Sequence, residues 1–414
     1  MAEIDAYNEA LESGQYQKPS GLLGKYDNVR RLWEDEQLGL YLRPYLERMV
    51  SRKKARGEKL RVLDLGCGSG DGFEFLTRIN SSNSLISEHD VKVLEPDMIE
   101  SYKGVDTNDG LLRQARSIYE NRRNIVFVHS DFNSPEVLNE PPYDLYLANY
   151  GALSHNTDEQ TIEFLSNIAK CDRHDKDGAL IVIDWLGRYS YEWQTLWTRD
   201  CEHNQWMDYS ISYLSTNGRR KVKELSLFPL RIMGRRDAQS VYLQSKSRAG
   251  GGITLQELAD RSSFVGRHMD TAQYNTHCQP IRRSVNSLFE LNICTNLDEL
   301  LIHYVPREDF AEVNAYYQRL SESWNHLVAY THALLKGIKP LEALAEAPLP
   351  LRKTLSVMKD IVRTAAKMKI GNTRANLVEP QLGYCLRELE IALQRGWGCG
   401  HGLVAIFEVK SGTF

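Results

Sequence analysis

Arg61-Val-Leu-Asp-Leu-Gly-Cys-Gly-Ser-Gly70 decides the fold. The run 60–65 has the apolar character of a short strand, and glycines 66, 68 and 70 follow it at once. Such glycines let a chain turn tightly after a strand and approach a ligand closely. Further strands are predicted at 101–105, 124–129, 143–149 and 179–185, with helices at 111–119 and 158–169 between them. Strand–loop–helix alternation is the mark of a parallel sheet with crossover helices. The fold class is therefore α/β, and a ligand is expected at the carboxyl edge of the sheet.

The flanks read differently. Residues 1–59 carry two polar helical patterns, the second over 26–52 with Val29, Leu32, Trp33 and Leu40 on one stripe. Beyond 185 the segment 189–197 is aromatic and helical in pattern, 254–261 reads as a short helix, and a strand is expected near 270–276 or 285–291. Residues 297–396 form a long amphipathic, helix-rich block, and 402–409 is again an apolar strand. A terminal strand after about 100 helical residues implies that the block is inserted between the last two strands. The expected division is a helical cap at 1–59, a core at 60–296, a helical lid insertion at 297–396 and a terminal core strand at 397–414, around a seven-stranded sheet.

Composition narrows the function. With 414 residues, 42% hydrophobic and 26% charged, the chain is globular and large enough for two lobes. Its 51 basic residues against 55 acidic ones leave a net charge of −4, which weighs against a nucleic-acid partner. No apolar stretch approaches the roughly 20 residues of a membrane span, and the acidic N-terminus lacks a signal-peptide core. None of the seven cysteines forms a Cys-x-x-Cys pair. A soluble cytoplasmic protein without a membrane partner is expected.

The dinucleotide fingerprint fails, because Asp71 stands where its third glycine belongs. An acid inside the strand end followed by Gly-x-Gly-x-Gly instead resembles motif I of class I S-adenosylmethionine-dependent methyltransferases. The resemblance implies a Rossmann-like sheet and S-adenosylmethionine as cofactor, around Asp64, Gly66, Cys67 and Gly68. It asks for an acid at the end of the second strand to accept the ribose hydroxyls. Glu95 and Asp106 compete for this, and Asp106 fits better because a helix follows it directly. By the same resemblance Asp131 would receive the adenine amino group and Phe132 would pack on the ring. Asn149, Tyr150 and Gly151 would close the fourth strand where acceptor meets sulfonium, and Tyr26, Arg30 and Trp33 would cap the cofactor. Asn139-Glu-Pro-Pro-Tyr143 looks like the signature of nucleic-acid amino methyltransferases but precedes the fourth strand instead of following it.

His155, just beyond the fourth strand, is the candidate general base. With Gln194 it resembles the metal site of the iron-dependent C-methyltransferases of polyketide-synthase loading modules. That resemblance implies iron or manganese held by His155 and Gln194, and a malonyl-type acyl group on a carrier protein. The basic stretch 351–369 is a solvated helix face or a dock for an acidic carrier or anionic substrate. The expected function is methyl transfer to a small or carrier-bound acceptor in natural-product biosynthesis. Its rivals are a cyclase acting on S-adenosylmethionine itself, of the azetidine-2-carboxylate type, and a binding protein without turnover.

Overall fold

A computed structural model of the chain describes residues 2–16, 22, 24–82, 91–138, 142–170, 178–198, 205–216, 226–369 and 371–410. Nine strands follow in chain order: β1 (Leu60–Leu65), β2 (Ile99–Asp106), β3 (Ile125–His129), β4 (Leu145–Ala148), β5 (Ala179–Gly187), β6 (Trp206–Tyr209), β7 (Phe228–Met233), β8 (Ile253–Arg261) and β9 (Gly402–Val409). The main path runs β3-β2-β1-β4-β5-β9-β8. Its first five strands are mutually parallel, and β9 lies antiparallel between β5 and β8. This is the expected Rossmann-like sheet of the class I methyltransferase type. A ribbon of β6 and β7 extends it beyond the expected seven strands, joined through Leu186 and Gly187 at the end of β5.

Both faces of the sheet are covered, and strand periodicity divides the core. Leu60 and Val62 of β1, Leu180 and Val182 of β5, and Val404 and Ile406 of β9 enter one apolar layer. Leu63 and Leu65, Ile181 and Ile183, and Leu403 and Ala405 enter the other. Alternate residues facing opposite sides, both apolar, are what a strand buried on two faces requires.

Two expectations are corrected. Segment 254–261 is not a helix but belongs to β8, paired with β9 from Ile253↔Val409 to Arg261↔Gly402. A register shift between Leu255 and Glu257 breaks the two-residue alternation, so Leu255, Leu258 and Ala259 imitate helical spacing. No strand forms at 270–276 or 285–291, where turns and the helix Ile281–Ser287 lie. The insertion between the last two strands therefore runs from 262 to 401. The aromatic segment after β5 is a short, kinked 3-10 helix, Tyr191–Leu196.

The insertion carries helices Ala311–Leu335, Leu349–Ala365 and Glu379–Leu393 and has a core of its own around Trp324, Leu355, Met358 and Leu386. That core also takes in Val29 and Trp33 of the N-terminal region and Tyr191 and Trp197 beyond β5. Polar bonds close the seam. Trp33 Nε1 and Gln37 Nε2 donate to Glu390, and Arg282 donates to Asp27 and Glu34 at 2.7 Å. The insertion and the N-terminal region thus share one packed core. Arg352, Lys353, Arg363, Lys367 and Lys369 face solvent, while Lys359 pairs with Glu342 at 3.3 Å. No helix among the described residues is long and apolar enough to cross a membrane.

Candidate functional site

A cavity of about 400 Å³ opens at the carboxyl ends of β1, β2 and β4, roofed by the N-terminal region. Its floor is the glycine loop. Gly66 and Gly68 have φ of +65° and +53°, and a Cβ at Gly66 would stand 2.8 Å from that of Ala152. A left-handed backbone and this close approach both demand glycine.

Carboxylates surround the loop. Asp106, ending β2, accepts Gly68 N on Oδ2 and Asn108 N on Oδ1, each at 2.8 Å. Glu95 is exposed and precedes β2, at the end of the strand far from the cavity that Asp106 lines. Asp64 is buried below the loop and accepts the Tyr102 hydroxyl. Burial pushes its carboxyl up to about 7, against the pull of that hydrogen bond. Asp71 pairs with Lys25 at 2.7 Å. Burial and the neighbouring carboxylates raise the Cys67 thiol, which therefore stays protonated on the cavity wall.

Asp131 and Phe132 line the cavity beyond β3 as expected. Asp131 is exposed and accepts Asn133 N at 2.8 Å. Asn149 follows β4 directly, with both side-chain amide atoms buried and, among the described residues, without a hydrogen-bond partner. An unpaired buried amide lining a cavity is a ready ligand group. Tyr150 follows at φ +56°, its ring covered by the Arg30 guanidinium at 3.1 Å, its hydroxyl donating to Asp35. Arg30 lines the cavity. Tyr26 does not: it faces the neighbouring groove and holds the loop, 2.8 Å from Ser69 Oγ and 2.6 Å from Asp71 Oδ1. Its expected contact with the cofactor becomes a contact with the cofactor's loop.

His155 is on the cavity wall, stacked on Phe228 with 5.9 Å between ring centroids. Burial pushes it down to about 4, although the Asp106 carboxylate opposes this. Gln194 is elsewhere. Its Nε2 donates to Val305 O at 2.9 Å, its backbone carbonyl accepts from Arg307, and it lines a separate cavity with Trp197 and Phe310. The expected metal pair is therefore not brought together, because the kinked segment after β5 turns Gln194 into the lid seam. Among the described residues no three His, Cys, Asp or Glu side chains are grouped to hold a metal ion. The residues do not fit an iron or manganese site. Of the nucleic-acid-like signature at 139–143, residues 139–141 lie outside the described residues.

Other cavity groups were invisible to sequence reasoning. Arg261 ends β8, Arg267 and His401 come from the two ends of the insertion, and Tyr209, Ile211 and Tyr213 from the β6 region. Arg261 binds Asp184 through Nε and Nη2 at 3.0 and 2.8 Å. Burial would raise the Glu34 carboxyl, but Arg282, Arg267 and Arg261 hold it well below the usual range. His401 Nδ1 meets the buried Glu192 carboxylate at 2.7 Å. The His-Gly402 opening of the last strand is the only sequence signal that could have pointed to this pair.

No protein-family model and no curated protein matches the chain. Solved structures do resemble it in part. One is described as a putative S-adenosylmethionine-dependent methyltransferase from Listeria monocytogenes, at 10% identity and TM-score 0.32 over 50% of this chain and 78% of that one. Another is magnesium protoporphyrin IX methyltransferase from Synechocystis PCC 6803 with bound S-adenosylhomocysteine, at 13% and 0.33 over 63% and 90%. A third is the CcbJ methyltransferase from Streptomyces caelestis, at 15% and 0.35 over 61% and 89%. At these scores the fold assignment rests on the strand order itself.

Proposed function

We propose that this chain is an S-adenosylmethionine-dependent methyltransferase acting on a small molecule, or on a small group presented by a carrier, enclosed beneath its helical cover. The observation that carries the reading is the set of carboxylates around the glycine loop. Asp64, Asp71, Asp106 and Asp131 all line the cavity. Carboxylate oxygens beside the loop accept ribose hydroxyls and favour a sulfonium over a pyrophosphate, although Lys25 balances Asp71 and Arg30, Arg261 and Arg267 line the same cavity.

The residues fit the cofactor. Each Asp106 oxygen already accepts one backbone N–H, and a carboxylate oxygen has room for a second donor, so ribose hydroxyls can be held without dislodging the loop. Phe132 and Leu111 offer apolar surface beside Asp131 for a purine. The cofactor supplies a methyl group on a cationic sulfur. The chain's own part is to align the acceptor and exclude water, and alignment alone can account for much of the rate. No step is routed through a metal, since His155 and Gln194 line different cavities.

Titration calorimetry with S-adenosylhomocysteine, with NAD as the control, tests the site. Binding of the first and not the second is expected; the reverse would sink the reading. Product analysis after incubation with S-adenosylmethionine then separates transfer, which leaves S-adenosylhomocysteine, from cyclisation, which leaves methylthioadenosine.

A further inference from the structure

The cavity has a second chemical pole away from the glycine loop. We propose that His401 is the general base of the transfer, with Glu192 as its positioning residue. The acceptor's reacting atom then carries a proton until methylation: a hydroxyl, a phenol or a primary or secondary amine, not a thioether or tertiary amine. This rests on the methyl-transfer reading above.

The geometry is that of a carboxylate–imidazole pair built into the interior. His401 is 5% exposed and lines the cavity just before β9. Its Nδ1 is 2.7 Å from Oε2 of Glu192, which is 1% exposed in the turn after β5. Glu192 is itself fixed from several sides. Ser190 Oγ donates to Oε2 at 3.2 Å, and the His268 backbone N–H donates to Oε1. Residue 266 must be glycine, because a Cβ there would overlap the carboxylate. A carboxylate accepting from Nδ1–H sets the imidazole tautomer and leaves Nε2 with its lone pair for the cavity. Burial alone would raise the Glu192 carboxyl, but His401 and His268 hold it below its ordinary value, so it keeps its charge. His155, the expected base, lies instead on the apolar Phe228 wall and is too weak a base near pH 7.

The step balances. As the acceptor's lone pair bonds to the methyl carbon, the carbon–sulfur bond breaks and its electrons stay on sulfur. The acceptor's proton passes to Nε2 of His401, and the imidazolium is neutralised by Glu192 until solvent removes the proton. The other groups facing His401 are Tyr209 from β6 and His268 and Arg267 from the insertion. Burial raises the Tyr209 hydroxyl and pushes His268 down to about 3, so both stay neutral around pH 7. Glu192 is the carboxylate in contact with the His401 ring.

The test uses the full chain labelled with 15N at its histidine rings and saturated with S-adenosylhomocysteine. The His401 signals are identified by their loss in His401→Gln. At pH 7 the Nδ1–H tautomer is expected in the unaltered chain, and a redistribution between the two tautomers in Glu192→Gln. An Nε2–H tautomer in the unaltered chain, or no redistribution in Glu192→Gln, would overturn the proposal. If Glu192→Gln fails to fold, the tautomer of the unaltered chain still decides. Calorimetry keeps the two readings apart: no S-adenosylhomocysteine binding defeats methyl transfer, whereas binding with the wrong tautomer defeats only the base.

Discussion

Gly68 N donates to Asp106 Oδ2 across 2.8 Å, so the loop after β1 and the end of β2 share one carboxylate. The same group receives Asn108 N and so sets the start of the helix Asp109–Ile118. Its remaining lone pairs face the cavity. Asp106→Asn removes the charge and turns one acceptor into a donor. S-adenosylhomocysteine affinity should drop ten-fold or more, about 1.5–3 kcal/mol, by calorimetry. Glu95→Gln, at the far end of the strand, should leave it unchanged. Equal affinity in both variants would take the ribose away from Asp106.

Asp64 predicts a pH dependence. Burial raises its carboxyl to about 7 in the folded chain, against about 3.9 when unfolded. A folded pKa above the unfolded one gives stability that is fully present below about pH 4 and lost as pH rises through about 7. Asp64→Asn mimics the protonated group at every pH. It should therefore be more stable than the parent at pH 8, by roughly 2–4 kcal/mol, with little gain at pH 4. Thermal unfolding at the two pH values checks this, and an equal shift at both would show that the carboxylate is not the cause.

Much of this was legible in sequence, for definite reasons. The strands β1, β4 and β5 show themselves because both of their faces are buried and largely apolar, and the glycines at 66, 68 and 70 mark the turn. Asp106 could be read as the end of β2 because a helix follows it. What stayed hidden depends on contacts distant in the chain. The bulge at Leu255 gave β8 a helical look. Glu192 and His401 are 209 positions apart and meet only because β5 and β9 are neighbours. A local bend defeated the pairing of His155 with Gln194: both follow strands of the carboxyl edge, but the kinked segment after β5 sends Gln194 to Val305.

Gln194 accordingly should behave as a seam residue. Gln194→Leu leaves the Val305 carbonyl short of a partner, a loss of about 1–3 kcal/mol in urea unfolding, while the Arg307 bond to the backbone carbonyl of residue 194 is kept. S-adenosylhomocysteine affinity should stay within two-fold of the parent, since Gln194 does not line that cavity. A chelator-sensitive activity that Gln194→Leu abolishes without any loss of stability would restore it as a ligand.

Arg282 gives the sharpest test of how lid and cap are joined. It donates to both oxygens of Asp27 and to Glu34 at 2.7 Å, and all three side chains are buried. Arg267 also faces both acids, at 3.5 and 3.4 Å, and Arg261 faces Glu34 at 3.7 Å, so the cluster is a network and not a lone pair. Removing one member of a buried ionic network leaves charge without compensation and typically costs about 3–5 kcal/mol. Arg282→Ala should lose that much in urea unfolding, since the nearby arginines are already engaged. Arg282→Lys should recover only part of it, because an ammonium cannot bridge both acids in the same fork. If Asp27→Asn is added to Arg282→Ala, one unpaired charge disappears and some stability should return. Loss of more than the single variant's deficit would mean that Asp27 stabilises the seam through another partner, such as the Arg30 backbone N–H it accepts at 2.8 Å.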